Sequence, residues 1–249
     1  MMTADQLWLS IRSEAETAFA RDPLFGARLQ RAILDHADLG GAVAHQIGER
    51  LGKSAEERAQ FMRLAREAHD GSPDLVEAAS RDLQSTLRDP AVTELLPPFL
   101  NYKGYIALQA WRVSNRLWRA DRTDLALLLQ SLSSDTLQVS IHPTASIGTS
   151  VLFDHATGII IGAHAVVGDE ATIMQNVTIG RTQAMPGRAP RIGRGVLLSS
   201  GVSVLGDITI GDFAKVGAGS VVDRDVPAGC TAIGVPARLT NCAEAGLPA

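Results

Sequence analysis

The chain has 249 residues, 45% of them hydrophobic, and carries 23 Lys and Arg against 27 Asp and Glu, a formal net charge of −4. That length exceeds one typical domain, and the acidic balance, with an isoelectric point near 5.9, argues against a general nucleic-acid role. No apolar run approaches the roughly 18 residues of a membrane-spanning helix. Asp5, Arg12, Glu14 and Glu16 do not read as a secretory signal. Cys230 and Cys242 form no metal-ligand pattern, and two cysteines in this length point to a reducing compartment, with the cytoplasm as the expected location.

The first part of the chain reads as helical. Leu7, Ile11, Ala15 and Ala18 share one face, and Leu39, Val43, Ile47 and Leu51 share another. Ser54 with Glu57 is a capping-box signature ahead of Phe61, Leu64 and Ala68. Ser72-Pro73 places a cap and a first-turn proline before Leu75, Val76, Ala79 and Leu83. Asp89-Pro90 ends that segment. One helix is expected over residues 99–119 and another over 125–132.

From Ile141 to Val222 the pattern changes. An aliphatic or aromatic anchor recurs at every sixth position: Ile141, Ile147, Phe153, Ile161, Val167, Ile173, Ile179, Ile192, Leu198, Val204, Ile210, Val216 and Val222. A fixed period over this length signals a solenoid, and six fits neither a 3.6-residue helix nor an alternating strand. It fits a short strand and a tight turn, three of which close a triangular coil with the anchors inside. Two interruptions break the period: two extra residues between Phe153 and Ile161, and a longer insertion over 181–191. Such insertions become loops, often on the binding face. The fold class is therefore α+β. An α-helical domain is expected over 1–138, a β-helix over 139–236 and a tail over 237–249.

The repeat resembles that of the hexapeptide acyltransferases, whose domain is a left-handed parallel β-helix. The likeness narrows to the serine O-acetyltransferase family. It rests on Ser85-Thr86-Leu87-Arg88-Asp89-Pro90-Ala91, Tyr102-Lys103-Gly104, Ala107-Leu108-Gln109-Ala110 and Leu117-Trp118. It rests also on Ile141-His142-Pro143, on Asp154-His155-Ala156-Thr157-Gly158 and, less specifically, on Gly234-Val235-Pro236-Ala237-Arg238. The resemblance implies acetyl transfer from acetyl-CoA to the L-serine hydroxyl, as in cysteine biosynthesis. It implies no metal, and a homo-oligomer that is a trimer or a dimer of trimers.

A serine hydroxyl needs a base as it attacks a thioester, and a histidine titrates in the right range. His155, at the first interruption, is the candidate base. The resemblance places Asp154, Asp89 and Arg188 on the acceptor side, Arg188 with a fork suited to a carboxylate. It places Ser200, Lys215, Ala218 and Arg238 on the CoA side. Two positions depart from the family. Ser140 stands where an Asp pairs with the catalytic His, and an uncharged oxygen stabilises an imidazolium less well. Ala189 stands where an acceptor-contacting His is found, in Arg188-Ala189-Pro190-Arg191. These departures leave open a different hydroxy amino-acid acceptor, or a weakly active, regulatory homologue. His142 and His164 read as solvated or structural. His142, His155 and His164, spaced 13 and 9 apart, do not suit a three-His zinc site. No nucleic-acid or membrane partner is expected. Docking to the O-acetylserine sulfhydrylase through the C-terminus is not expected either, because the last residues are Ala245-Gly246-Leu247-Pro248-Ala249.

Overall fold

Local capping chemistry sets the helices. In the computed structural model, which describes residues 2–181 and 188–242, α1 (Ala4–Arg21) starts at Thr3. The Thr3 side chain accepts from the Gln6 N–H while Gln6 reaches back to the Thr3 backbone. α2 (Pro23–Leu29) starts at Asp22, and α3 (Leu39–Leu51) at Asp38, whose carboxylate accepts from the Gly41 N–H. α4 (Ala55–Asp70) carries the reciprocal Ser54–Glu57 capping box. α5 (Pro73–Gln84), α6 (Leu96–Asn101), α7 (Lys103–Arg119) and α8 (Thr123–Leu137) complete the helical unit. Leu7, Ile11, Ile33, Val43, Ile47, Leu83, Phe99 and Ile106 are fully buried in it.

Two expectations are corrected. The stretch 99–119 is not one helix: the backbone is extended at Tyr102, which ends α6 and starts α7. Ser72 stands at the start of α5, but its side chain makes no cap bond, and the residue is buried. Between α5 and α7 lies a charged knot. Arg112 Nη2 and Asp82 Oδ2 are 2.7 Å apart, and Gln109 Nε2 donates to the same oxygen at 3.0 Å. Burial, with the Asp82 charge, pushes the adjacent Tyr105 hydroxyl well above its usual pKa.

The second unit is a parallel β-helix of three faces. The first face carries β1 (Val139–Ile141), β4 (Ile159–Ile161), β7 (Thr178–Gly180), β10 (Ser203–Leu205) and β13 (Val221–Val222). The second carries β2 (Ser146–Ile147), β5 (Val166–Val167), β8 (Arg191–Ile192) and β11 (Thr209–Ile210). The third carries β3 (Leu152–Phe153), β6 (Thr172–Ile173), β9 (Leu197–Leu198), β12 (Lys215–Val216), β14 (Thr231–Gly234) and β15 (Ala237–Thr240). Every anchor sits on the next coil's anchor: Ile141 on Ile161, Ile161 on Ile179, Ile147 on Val167, Phe153 on Ile173. All thirteen anchors are buried. Neither interruption disturbs this register, since Ile179 pairs with Val204 and Val167 with Ile192 across the longer one. The extra residues of the first interruption leave the prism at one edge.

Residues 237–240, placed in a tail by the sequence reading, form β15, which pairs antiparallel with β14. Cys230 and Cys242, assigned by their count alone to a reducing compartment, are joined in a disulfide just outside the Thr231–Thr240 pair. They stand twelve positions apart in sequence, and the hairpin turns them back on each other. The chain end from 243 onward, on which the docking expectation rests, lies outside the described residues.

Candidate active site

Where the third face passes into the first, regular coils use four connecting residues: 174–177, 199–202 and 217–220. By register the first coil uses six, Asp154 to Ile159, because Ile160 pairs with Thr178. The extra length is taken up by two consecutive left-handed residues, His155 (φ 55°) and Ala156 (φ 64°), a conformation that L-residues seldom adopt in pairs. Gly158 closes the turn with φ 76°. A Cβ at Gly158 would run into the Asn176 side-chain oxygen of the next coil, so glycine is required there for space as well as shape. The Gly158 N–H then donates to the Gln138 carbonyl at 2.8 Å. Two residues on, β1 carries Ser140, so the His155 turn closes on the strand that holds Ser140.

The result is an imidazole 70% exposed, with Nε2 3.8 Å from Asp154 Oδ1. Asp154 is itself mostly covered, at 29% exposure.

A backbone ladder continues from this turn along the edge. The Asn176 N–H donates to the Thr157 carbonyl at 2.7 Å, the Gly201 N–H to Gln175 at 2.9 Å, and the Gly219 N–H to Ser200 at 2.8 Å. Asp154, His155, Ser200 and Ala218 are thereby brought to one edge. Lys215, exposed on β12, leads into the Ala218 turn. Arg238, on β15, pairs across the hairpin with Ile233 of β14. Ile233 in turn lies against Gly217. The expected donor residues therefore gather around the top of the same edge.

Arg188 is elsewhere. It lies in the insertion between β7 and β8, where the first face passes into the second. This edge also carries His142, Thr144, His164 and Asp207 in its stacked turns. The two edges are separated by the width of the first face, roughly 10 Å for strands of three residues. Arg188 is 72% exposed and pairs with Asp207, Nη1 to Oδ2 at 2.8 Å. Ala189 is buried, and the Pro190 carbonyl accepts from the Val166 N–H at 3.0 Å.

On the same edge, His142 Nδ1 lies 2.8 Å from Thr144 Oγ1. Thr144 Oγ1 also accepts from the His164 N–H at 3.2 Å. Burial, then the nearby His164 and Arg181, hold His142 below its ordinary pKa. A structural reading of His142 fits this network.

Asp89 belongs to the helical unit. It follows a 3-10 turn at Ser85–Arg88, and its Oδ1 accepts from the Ala91 N–H at 2.9 Å. Two residues of the β-helix site carry no mark in the sequence reading, Asn176 and Asp207. Their hexad positions relative to the anchors Ile179 and Ile210 put them in edge turns, and that periodicity was the one signal that could have found them.

Comparison with known proteins extends this geometry. A family model for the N-terminal region of serine acetyltransferase matches residues 7–110, and one for the six-repeat bacterial transferase hexapeptide matches residues 189–224. A serine acetyltransferase of Haemophilus influenzae is 38% identical over 250 residues, covering 100% of this chain and 93% of the relative. The structure of a Brucella abortus serine acetyltransferase in complex with coenzyme A superposes with a TM-score of 0.91 at 40% identity, covering 94% of each chain. That of soybean serine acetyltransferase complexed with serine superposes with a TM-score of 0.90 at 42% identity, covering 94% of this chain and 97% of its own. A parallel hexapeptide β-helix that follows a helical unit in the chain, matched over nearly the whole length, makes this protein an acyltransferase belonging to the serine acetyltransferase family.

Proposed function

We propose that the chain transfers the acetyl group of acetyl-CoA to the hydroxyl of L-serine, with His155 as general base. The imidazole takes the hydroxyl proton as the serine oxygen bonds to the thioester carbonyl carbon. The carbon–sulfur bond then breaks, and the proton passes from the imidazolium to the leaving thiolate, giving O-acetylserine and CoA. The observation that carries this reading is the paired left-handed turn. It lifts His155 out of the prism beside Asp154, on the edge whose ladder reaches Ser200 and Ala218. A relative bound to coenzyme A and another bound to serine support the two substrates.

On this reading Asp154 supplies the charge that Ser140 lacks, and a positioned base typically contributes about 10²–10⁴-fold. Lys215 and Arg238 meet CoA phosphates, while Ser200 and Ala218 leave room for the pantetheine arm. Arg188 binds the acceptor's carboxylate, and Asp89 is an acceptor residue of the helical unit. Because Arg188 and His155 stand on different edges of one prism, a complete site takes the His155 edge of one copy and the Arg188 edge of another. A homotrimer, the unit that the family resemblance implies, would supply every site in this way.

Alanine at position 189, where the family resemblance expects an acceptor-contacting histidine, motivates a second acceptor class, a hydroxy amino acid of different shape beyond the carboxylate. Thiol release from acetyl-CoA, measured with serine, threonine and homoserine, tests both readings. Serine as the preferred acceptor supports the first, preference for another hydroxy amino acid supports the second, and no release with any of them overturns both.

A further inference from the structure

We propose that Asp207 is a positioning residue that holds the Arg188 guanidinium ready for the acceptor's carboxylate. The inference rests on the acceptor reading of Arg188 given above.

The coil geometry places Asp207 for this task. It sits in a short turn between β10 and β11, directly over the mouth of the insertion. Its two neighbours in sequence bond to the two ends of that insertion: the Gly206 N–H donates to the Gly180 carbonyl at 3.0 Å, and the Arg191 N–H donates to the Ile208 carbonyl at 2.9 Å. Asp207 is therefore fixed by the solenoid, whereas Arg188 projects from a loop. The 2.8 Å contact between Arg188 Nη1 and Asp207 Oδ2 joins the loop residue to the fixed one.

This pair does little for stability. Its side chains are 72% and 35% exposed, and such surface pairs contribute little. What the contact does is remove freedom. An unpaired arginine on a loop samples many rotamers, and each acceptor would have to order it on binding. With Nη1 tied to Asp207, the planar fork keeps one orientation, and the donors on its other edge can take a carboxylate in two parallel bonds.

Steady-state kinetics of the full-length protein tests the assignment, with L-serine binding followed in parallel by titration calorimetry. In Asp207→Asn the KM and the dissociation constant for serine should rise about tenfold, while kcat and the KM for acetyl-CoA stay within about twofold. Asp207→Glu should recover part of the loss. An amino alcohol lacking the carboxylate should be used equally well by wild type and Asp207→Asn. In an Arg188→Ala background the second substitution should add nothing.

If Arg188→Ala weakens serine binding and Asp207→Asn does not, the positioning role falls and the acceptor reading of Arg188 stands. If neither substitution weakens serine binding, both fall. An equal loss with the amino alcohol would mean a distorted coil and would also overturn the proposal.

Discussion

The two edges of the β-helix that carry the candidate site residues are built by different means. At the His155 edge the backbone does the work. Two left-handed residues, one obligatory glycine and a ladder of N–H to carbonyl bonds from Thr157 to Gly219 set where each group stands. At the Arg188 edge, side chains take part: Arg188 bonds to Asp207, and the Thr144 hydroxyl bonds to the His142 ring and accepts from the His164 N–H. A backbone device tolerates little change, because its hydrogen bonds are also those of the coil. A side-chain device can be altered residue by residue over an undisturbed coil. That is how Ala189 can stand in place of the family's histidine while Ile179 still pairs with Val204.

The sharpest way to separate chemistry from scaffold on the His155 edge is to remove the imidazole. His155→Ala should lower kcat about 10²-fold or more, with the unfolding midpoint unchanged because the ring is 70% exposed. Turnover near that of wild type would end its assignment as base.

Gly158→Ala attacks the backbone device itself. The strained φ and the collision with Asn176 should cost about 1–3 kcal/mol of stability and displace His155, so denaturant unfolding and activity should fall together. The same substitution at Gly180, where an added Cβ finds only ordinary contact, should leave both nearly intact.

Ser140→Asp restores a charge to the strand on which the turn closes. An ionised neighbour favours the imidazolium. The acid limb of the kcat/KM profile should therefore move to higher pH, and the plateau rate should rise roughly severalfold. An unchanged profile would mean that Asp154 alone already serves the ring.

The smallest effect is expected from His142 on the other edge. Its pKa in the folded chain is held below the ordinary 6.5 by burial and by His164 and Arg181. Between that lower value and 6.5 the unfolded chain binds more protons, so stability rises with pH there. The contribution is fully present above 6.5 and is lost as pH falls through the folded value. Ring resonances of His142 followed by NMR should titrate below those of a free histidine. A midpoint at or above 6.5 would contradict the burial argument.

What could be read without coordinates was whatever depends on neighbours in sequence. The Ser54–Glu57 capping box needs only its own turn, and it is present. The thirteen hexad anchors need only a repeating strand and turn, and all are buried. The Asp154–His155 break was visible because two residues too many cannot stay inside a prism of fixed period. Even locally, competing contacts can intervene: the backbone turns extended at Tyr102, and Ser72 is buried without using its hydroxyl as a cap.

Everything that joins distant residues was decided by tertiary structure. Arg188 meets Asp207 only because one coil lays its turn over the mouth of another's insertion. Cys230 meets Cys242 only because β15 folds back on β14, a pairing that a count of two cysteines could not foresee. The division of His155 and Arg188 between two edges likewise follows from which face each strand joins. Periodicity determines that a residue lies in a turn and faces outward. Which outward residues stand together depends on how successive coils stack, and that is a property of the closed helix, not of any stretch of its sequence.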